Sequence, residues 1–137
     1  MKPCNGGNCE TCPYVKKTSQ LKGPFNKTTV QLNSAMSCTT KNVVYCVLCN
    51  RDNCKQIYVG QTQREIKTRF GEHKTSVRTK QNNAIGQHFN GPGHSLSNMN
   101  IICIEKVITV SQPILEKRES LWINKLEAEF KGLNRKK

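Results

Sequence analysis

Eight cysteines in 137 residues, most of them in short-spaced sets, limit the folds open to this chain more than any other feature. Cys4, Cys9 and Cys12 form C-x4-C-x2-C, Cys49 and Cys54 form C-x4-C, and His88 and His94 follow as H-x5-H. A structural zinc site takes four nitrogen or sulfur ligands in a tetrahedron, usually as two close pairs, each on a turn or helix end. Cys49, Cys54, His88 and His94 satisfy that count, and Gly91, Pro92 and Gly93 turn the chain back into a knuckle between the histidines. Cys4, Cys9, Cys12 and the distant Cys38 make a second, weaker quartet, because only three of its members cluster. Cys46 and Cys103 sit in apolar, strand-like runs and read as buried thiols. A secreted disulfide scaffold is the rival, and it is disfavoured by the histidine pair and by Met1-Lys2-Pro3-Cys4, which opens without an apolar leader.

With 35% apolar residues, the chain has material for one modest domain plus an appendage. Its formal charge is +13. Residues 1–80 hold 14 of the Lys and Arg against 4 of the Asp and Glu, so +10 lies there and +3 in residues 81–137. A lopsided basic surface suggests a polyanion, and the lack of a long apolar span favours nucleic acid over membrane. Lys55, Arg64, Lys67, Lys74, Arg78 and Lys80 are the candidate phosphate contacts. A basic surface that serves only solubility is the plainer alternative.

Residues 1–40 are rich in Gly, Asn, Thr and Lys, show little periodicity and read as a cysteine-tied extension. Residues 41–137 have a different character. "NVVYCVL" and "KQIYVG" are β-branched and aromatic strands, joined as a hairpin whose loop carries Cys49 and Cys54. Thr62 and Glu65 then form a T-x-x-E capping box, opening a helix with Ile66, Phe70, His73 and Val77 on one face. Asn83 to Phe89 is helical, "MNIICIEKVI" is a third strand, and Pro113 starts a last helix that ends near Gly132. On that helix Leu115, Trp122, Leu126 and Phe130 make one apolar stripe, with Glu119 in its middle. A carboxylate placed there is either paired with an arginine or bound to a divalent cation, since burying it alone costs several kcal/mol.

Taken together, these parts resemble the GIY-YIG nucleases. Val43-Val44-Tyr45 and Tyr58-Val59-Gly60 look like the two signature strands, followed by Arg69 and His73, and then by Glu119 and Asn134. Val43 stands where the family has glycine, and Tyr45 is kept. Within the family the chain is similar to the endonuclease domain of Penelope-like retroelements, in which a Cys/His zinc motif is woven through the nuclease. Cys49 and Cys54 lie between the tyrosine signatures, and His88 and His94 follow the arginine helix in "GQHFNGPGHS". The "C-x4-C-x2-C-P" lead-in resembles the connector before such domains.

The resemblance implies an α/β fold, a small and mostly antiparallel three-stranded sheet flanked by helices, with an embedded zinc knuckle and a Cys-rich extension. It also implies roles. Tyr58, or Tyr45 across the sheet, would act as general base or orient the water, and Arg69 or a metal's field would lower the phenol's pKa. Arg69 would hold the scissile phosphate with help from His73. Glu119 would bind Mg²⁺ or Mn²⁺, Asn134 would fix the rim, and zinc, with four protein ligands, would be structural. The partners implied are target DNA, and an upstream reverse transcriptase of the same polyprotein with its RNA, in the nucleus. A non-catalytic zinc module that binds nucleic acid is the alternative, and it would need neither Glu119 nor Tyr58.

Overall fold

The computed structural model describes residues 1–4, 6–32, 35–108 and 111–135. In chain order its elements are β1 (Gln20–Lys22), β2 (Thr29–Gln31), β3 (Val43–Cys49), β4 (Ile57–Thr62), α1 (Ile66–Arg78), α2 (Ala84–Phe89), β5 (Met99–Lys106) and α3 (Gln112–Lys125). The run from Val43 to Cys49 is apolar at every position, as a strand covered on both faces must be. Accordingly β3 is buried throughout and lies at the centre of a three-stranded sheet ordered β4-β3-β5. Both pairings are antiparallel. On the β4 side Tyr45 faces Gly60 and Val47 faces Tyr58, while the β5 side carries a bulge at Val44/Tyr45. The mixed α/β class expected from the sequence is therefore the one observed.

An outer strand exposes peptide groups that can template association unless they are covered. Here the chain covers both edges itself. On β4, Leu133 donates its N–H to the Ile57 carbonyl at 2.8 Å, and the Asn134 carboxamide takes both backbone groups of Val59, each at 2.8 Å. On β5, Val15 bridges in parallel to Ile101, and the Lys16 N–H donates to the Ile101 carbonyl at 3.1 Å. Val15, Leu21, Val30, Met36 and Cys38 join the same apolar cluster as the sheet.

Helix α1 buries Ile66, Phe70, His73 and Val77, the face expected from their spacing. Its start differs from expectation. The Thr62–Glu65 capping box does not form, because Thr62 is still in β4 and its hydroxyl accepts the Arg64 N–H at 3.0 Å. Instead the orphan amides of Ile66 and Lys67 donate to the carbonyls of Thr40 and Cys38, at 3.0 and 2.8 Å. Helix α2 starts at Ala84 rather than Asn83, which instead caps it, its carboxamide oxygen accepting the Gly86 N–H at 2.8 Å. Helix α3 ends at Lys125 rather than near Gly132, since Glu127 takes a φ of +55° and turns the chain. Its apolar stripe is correspondingly shorter. Leu115 and Leu126 are buried, but Phe130, beyond the helix, is 89% exposed. The β1–β2 hairpin has no counterpart in the sequence reading; each strand is three residues long and turns a single side chain, Leu21 or Val30, inward. Among the described residues no helix is long and apolar enough to cross a membrane.

Candidate active site and metal centres

Tyr45 is the hub of the site, and Gly60 makes room for it. A Cβ at Gly60 would lie 2.5 Å from the Tyr45 hydroxyl and 2.6 Å from its Cζ. Passing over this gap, the phenol reaches α1, where its oxygen lies 2.6 Å from His73 Nε2 and accepts Arg69 Nε–H at 3.1 Å. Arg69 and His73 are four residues apart on the helix, and so are neighbours on one face. The Tyr45 oxygen is therefore held between the Arg69 Nε–H and His73 Nε2. Burial, and then the Arg69 charge, hold the imidazole down to about 3, so it is neutral at physiological pH. Burial also pushes the Tyr45 phenol well above its ordinary value. Arg69 opposes that shift, as expected, but is outweighed, and the nearby Tyr58 and Glu119 add to the rise.

Tyr58 is half-buried and packs edge-on to His73, with ring centroids 5.5 Å apart. With Arg69, Glu72, His73 and Asn83 it lines a cleft of about 150 Å³. Glu72 went unnoticed in the sequence, although its place three residues after Arg69 on a helix was the available signal. Its carboxylate accepts from Arg64 at 2.6 Å and Arg69 at 3.0 Å, and these hydrogen bonds, Arg64's first, hold it below the usual carboxylate range. Glu119 is buried on α3, in the electrostatic neighbourhood of Tyr45. Its neighbour Arg118 pairs with Glu105 at 2.9 Å, and the Trp122 indole N–H donates to the same oxygen at 2.7 Å. Asn134 is at the edge of β4, bonded across Val59 and next to Tyr58 in that strand.

Among the candidate phosphate contacts, Lys55, Lys67, Arg78 and Lys80 are exposed, and Arg64 is exposed but engaged by Glu72. Lys74 corrects the expectation. It is 3% exposed, its ammonium lies 5.3 Å from the Tyr14 ring centroid and 5.8 Å from that of Phe70, and it donates to the Glu10 carbonyl at 3.4 Å. Two aromatic faces and an ion pair with the Glu10 carboxylate at 3.8 Å compensate its burial.

Both expected quartets converge. The ligand atoms of Cys49, Cys54, His88 and His94 all lie within 4.8 Å of one another, as do those of Cys4, Cys9, Cys12 and Cys38. Zinc bonds of about 2.3 Å to sulfur and 2.0–2.1 Å to nitrogen give tetrahedral edges of roughly 3.8 Å between sulfurs and 3.6 Å from sulfur to nitrogen. The observed separations match: 3.5 Å for Cys4–Cys12, 3.7 Å for Cys12–Cys38 and 3.6 Å from Cys54 Sγ to His88 Nε2. In the embedded cluster His94 Nε2 is buried with no hydrogen-bond partner, a lone pair or proton that only an inward ligand would satisfy. Its other nitrogen faces the Pro92 carbonyl at 3.1 Å, and Gly93, at a φ of +73°, shapes the loop beneath the Arg51 guanidinium. Burial and the neighbouring Cys54 thiol push Cys49 up to about 11, although backbone hydrogen bonding opposes them; a cation would reverse that balance. No disulfide joins any of the eight cysteines, and six of them fall in the two metal-spaced quartets. Cys46 and Cys103 are buried between the layers, as expected.

A model of the GIY-YIG catalytic domain matches residues 41–134. No curated protein and no solved structure matches the chain. Since the family match takes in most of the chain, including both tyrosine strands, the arginine helix and α3, the protein belongs to the GIY-YIG family of metal-dependent nucleases.

Proposed function

We propose that this nuclease is the DNA-nicking domain of a Penelope-like retroelement, acting in the nucleus. The cut supplies a 3′-OH from which an upstream reverse transcriptase of the same polyprotein copies its RNA, and residues 1–40 serve as the connector. The observation that carries this reading is the Cys49–Cys54–His88–His94 cluster embedded in a GIY-YIG fold, between the tyrosine strands and behind the arginine helix.

In the cleft, Arg69 holds the scissile phosphate with the face of its guanidinium that now meets Glu72, so Glu72 must yield as the phosphate enters. Tyr45 keeps Arg69 in place from below, and neutral His73, 2.6 Å from the phenol oxygen, fixes the phenol's orientation. Tyr58, which lines the cleft where Tyr45 does not, orients the attacking water. Asn134 holds β4 in position beneath it. The buried Glu119 carboxylate is a hard oxygen donor that would hold Mg²⁺ or Mn²⁺, whose charge would offset that developing on the leaving oxygen. Zinc in the Cys/His clusters, saturated by protein ligands, is structural.

Supercoiled plasmid incubated with Mg²⁺ or Mn²⁺ tests this mechanism. The intact protein is expected to produce nicked circles, and Arg69→Ala and Glu119→Ala to reduce the rate at least about a hundredfold, with fold and metal content kept. Nicking by Glu119→Ala at the intact rate would remove any role for the carboxylate, and an absence of nicking by the intact protein would leave a nucleic-acid-binding module.

A further inference from the structure

A groove of about 940 Å³ lies between the Cys-rich loop at residues 8–11 and the outer face of α1. Its floor runs along α1 from Lys67 to Arg78, about 17 Å at the helical rise of ~1.5 Å per residue. Lys67 and Arg78 mark its two ends, and both are exposed and in no ion pair among the described residues. Between them the groove presents Thr68 from the helix and Asn8 from the loop, while its two carboxylates, Glu10 and Glu72, are paired with Lys74 and Arg69. At Arg69, Glu72, Ser76 and Asn83 it is continuous with the cleft that holds Tyr58 and His73.

Lys74 explains why this second wall exists. Its ammonium holds the Glu10 carbonyl and carboxylate and lies over the rings of Tyr14 and Phe70, so a cation that could have met phosphate is committed to fixing the loop against α1. The same loop belongs to the Cys4–Cys9–Cys12–Cys38 cluster, and the Cys38 carbonyl caps the amide of Lys67 at 2.8 Å. One cluster thereby sets the position of both sides of the groove.

We propose that this groove is the track along which one DNA strand passes into the cleft, with Lys67 and Arg78 on its phosphates and the Cys-rich loop as its outer wall. The proposal rests on the nuclease reading for where the strand goes, but not for whether it binds.

Binding is followed by anisotropy of a fluorescein-labelled random-sequence DNA duplex in Ca²⁺, with melting curves and plasmid nicking measured on the same proteins. Lys67→Ala with Arg78→Ala is expected to weaken binding about tenfold or more and to lower the slope of log Kd against log salt by about two. Asn8→Glu, which changes only an exposed loop side chain, is expected to weaken binding several-fold with an unchanged melting curve. Lys22→Ala, on β1 outside the groove, is expected to leave binding within about twofold. Intact affinity and salt slope in the double variant and in Asn8→Glu would overturn the proposal. An equal loss in Lys22→Ala would also overturn it, in favour of a diffuse basic surface. Equal competition by an RNA duplex of the same sequence would overturn the DNA occupant. Failure of the nuclease reading shows separately, as an absence of nicking by the intact protein while groove variants still bind weakly.

Discussion

Two tyrosines on adjacent strands have been given different environments, and substitution separates them. Tyr45→Phe removes the hydroxyl shared by His73 Nε2 and Arg69 Nε inside the core. Leaving those groups unmet costs about 1–3 kcal/mol, which would appear as a lower urea midpoint together with lost nicking. Tyr58→Phe keeps the half-buried ring against His73, so stability should change little while nicking falls about a hundredfold or more. A second expectation concerns pH. His73 titrates near 3 when folded against an ordinary 6.5, so between those values the unfolded chain holds more protons and stability rises with pH. The contribution is complete above the ordinary value and is lost as pH falls from there toward 3. Urea unfolding at pH 7 and pH 5 should show this loss, at up to about 1.4 kcal/mol per pH unit, and His73→Gln should remove that share while the metal ligands titrate in both proteins. At this scale much was legible: Glu119 stood out because helical period puts its charge on a face otherwise apolar, and Arg69 and His73 stood out through the family resemblance. Glu72 and Lys74 did not, since a charged residue on a helix is read as solvated unless its partners, here Arg64 and Glu10, are known from the tertiary contacts.

Strands β3, β4 and β5 were readable because β-branched and aromatic runs announce them, whereas element ends were not, because their determinants lie far away in sequence. The start of α1 is met by carbonyls of Cys38 and Thr40, and the end of α3 by a left-handed Glu127 that no glycine advertises. Pairing of β3 with β4 also carries a packing demand that can be tested directly. Gly60→Ala places a methyl into the Tyr45 phenol, and overpacking of this kind costs about 1–3 kcal/mol; it should displace the hydroxyl from His73 and abolish nicking. Gly71→Ala, in α1 with nothing within 4 Å of the new methyl, should instead raise the melting temperature, because glycine in a helix costs about 0.5–1 kcal/mol relative to alanine. A Gly60→Ala protein as stable and active as the parent would contradict the geometry of the hub.

For the molecule as a whole, two clusters of four ligands fasten different ends of the structure: one ties the β3–β4 loop to α2 and the knuckle, the other ties residues 4–12 to the start of α1. Native mass spectrometry should find two zinc ions per chain. Cys4→Ser should remove one and His88→Ala the other, each with a lower melting temperature, because the binding energy of a structural zinc is folding energy. Metal-free protein with bonded cysteines would refute this. Pairing of Leu133 and Asn134 with the outer strand also has a consequence for biosynthesis. Translation proceeds at about 5–20 residues per second, so the stretch from the end of β4 at Thr62 to Asn134 takes roughly 4–14 s to be made. Throughout that interval β4 waits with its open side uncovered, and the growing chain must be shielded from its neighbours on the polysome until Leu133 and Asn134 emerge and close the sheet.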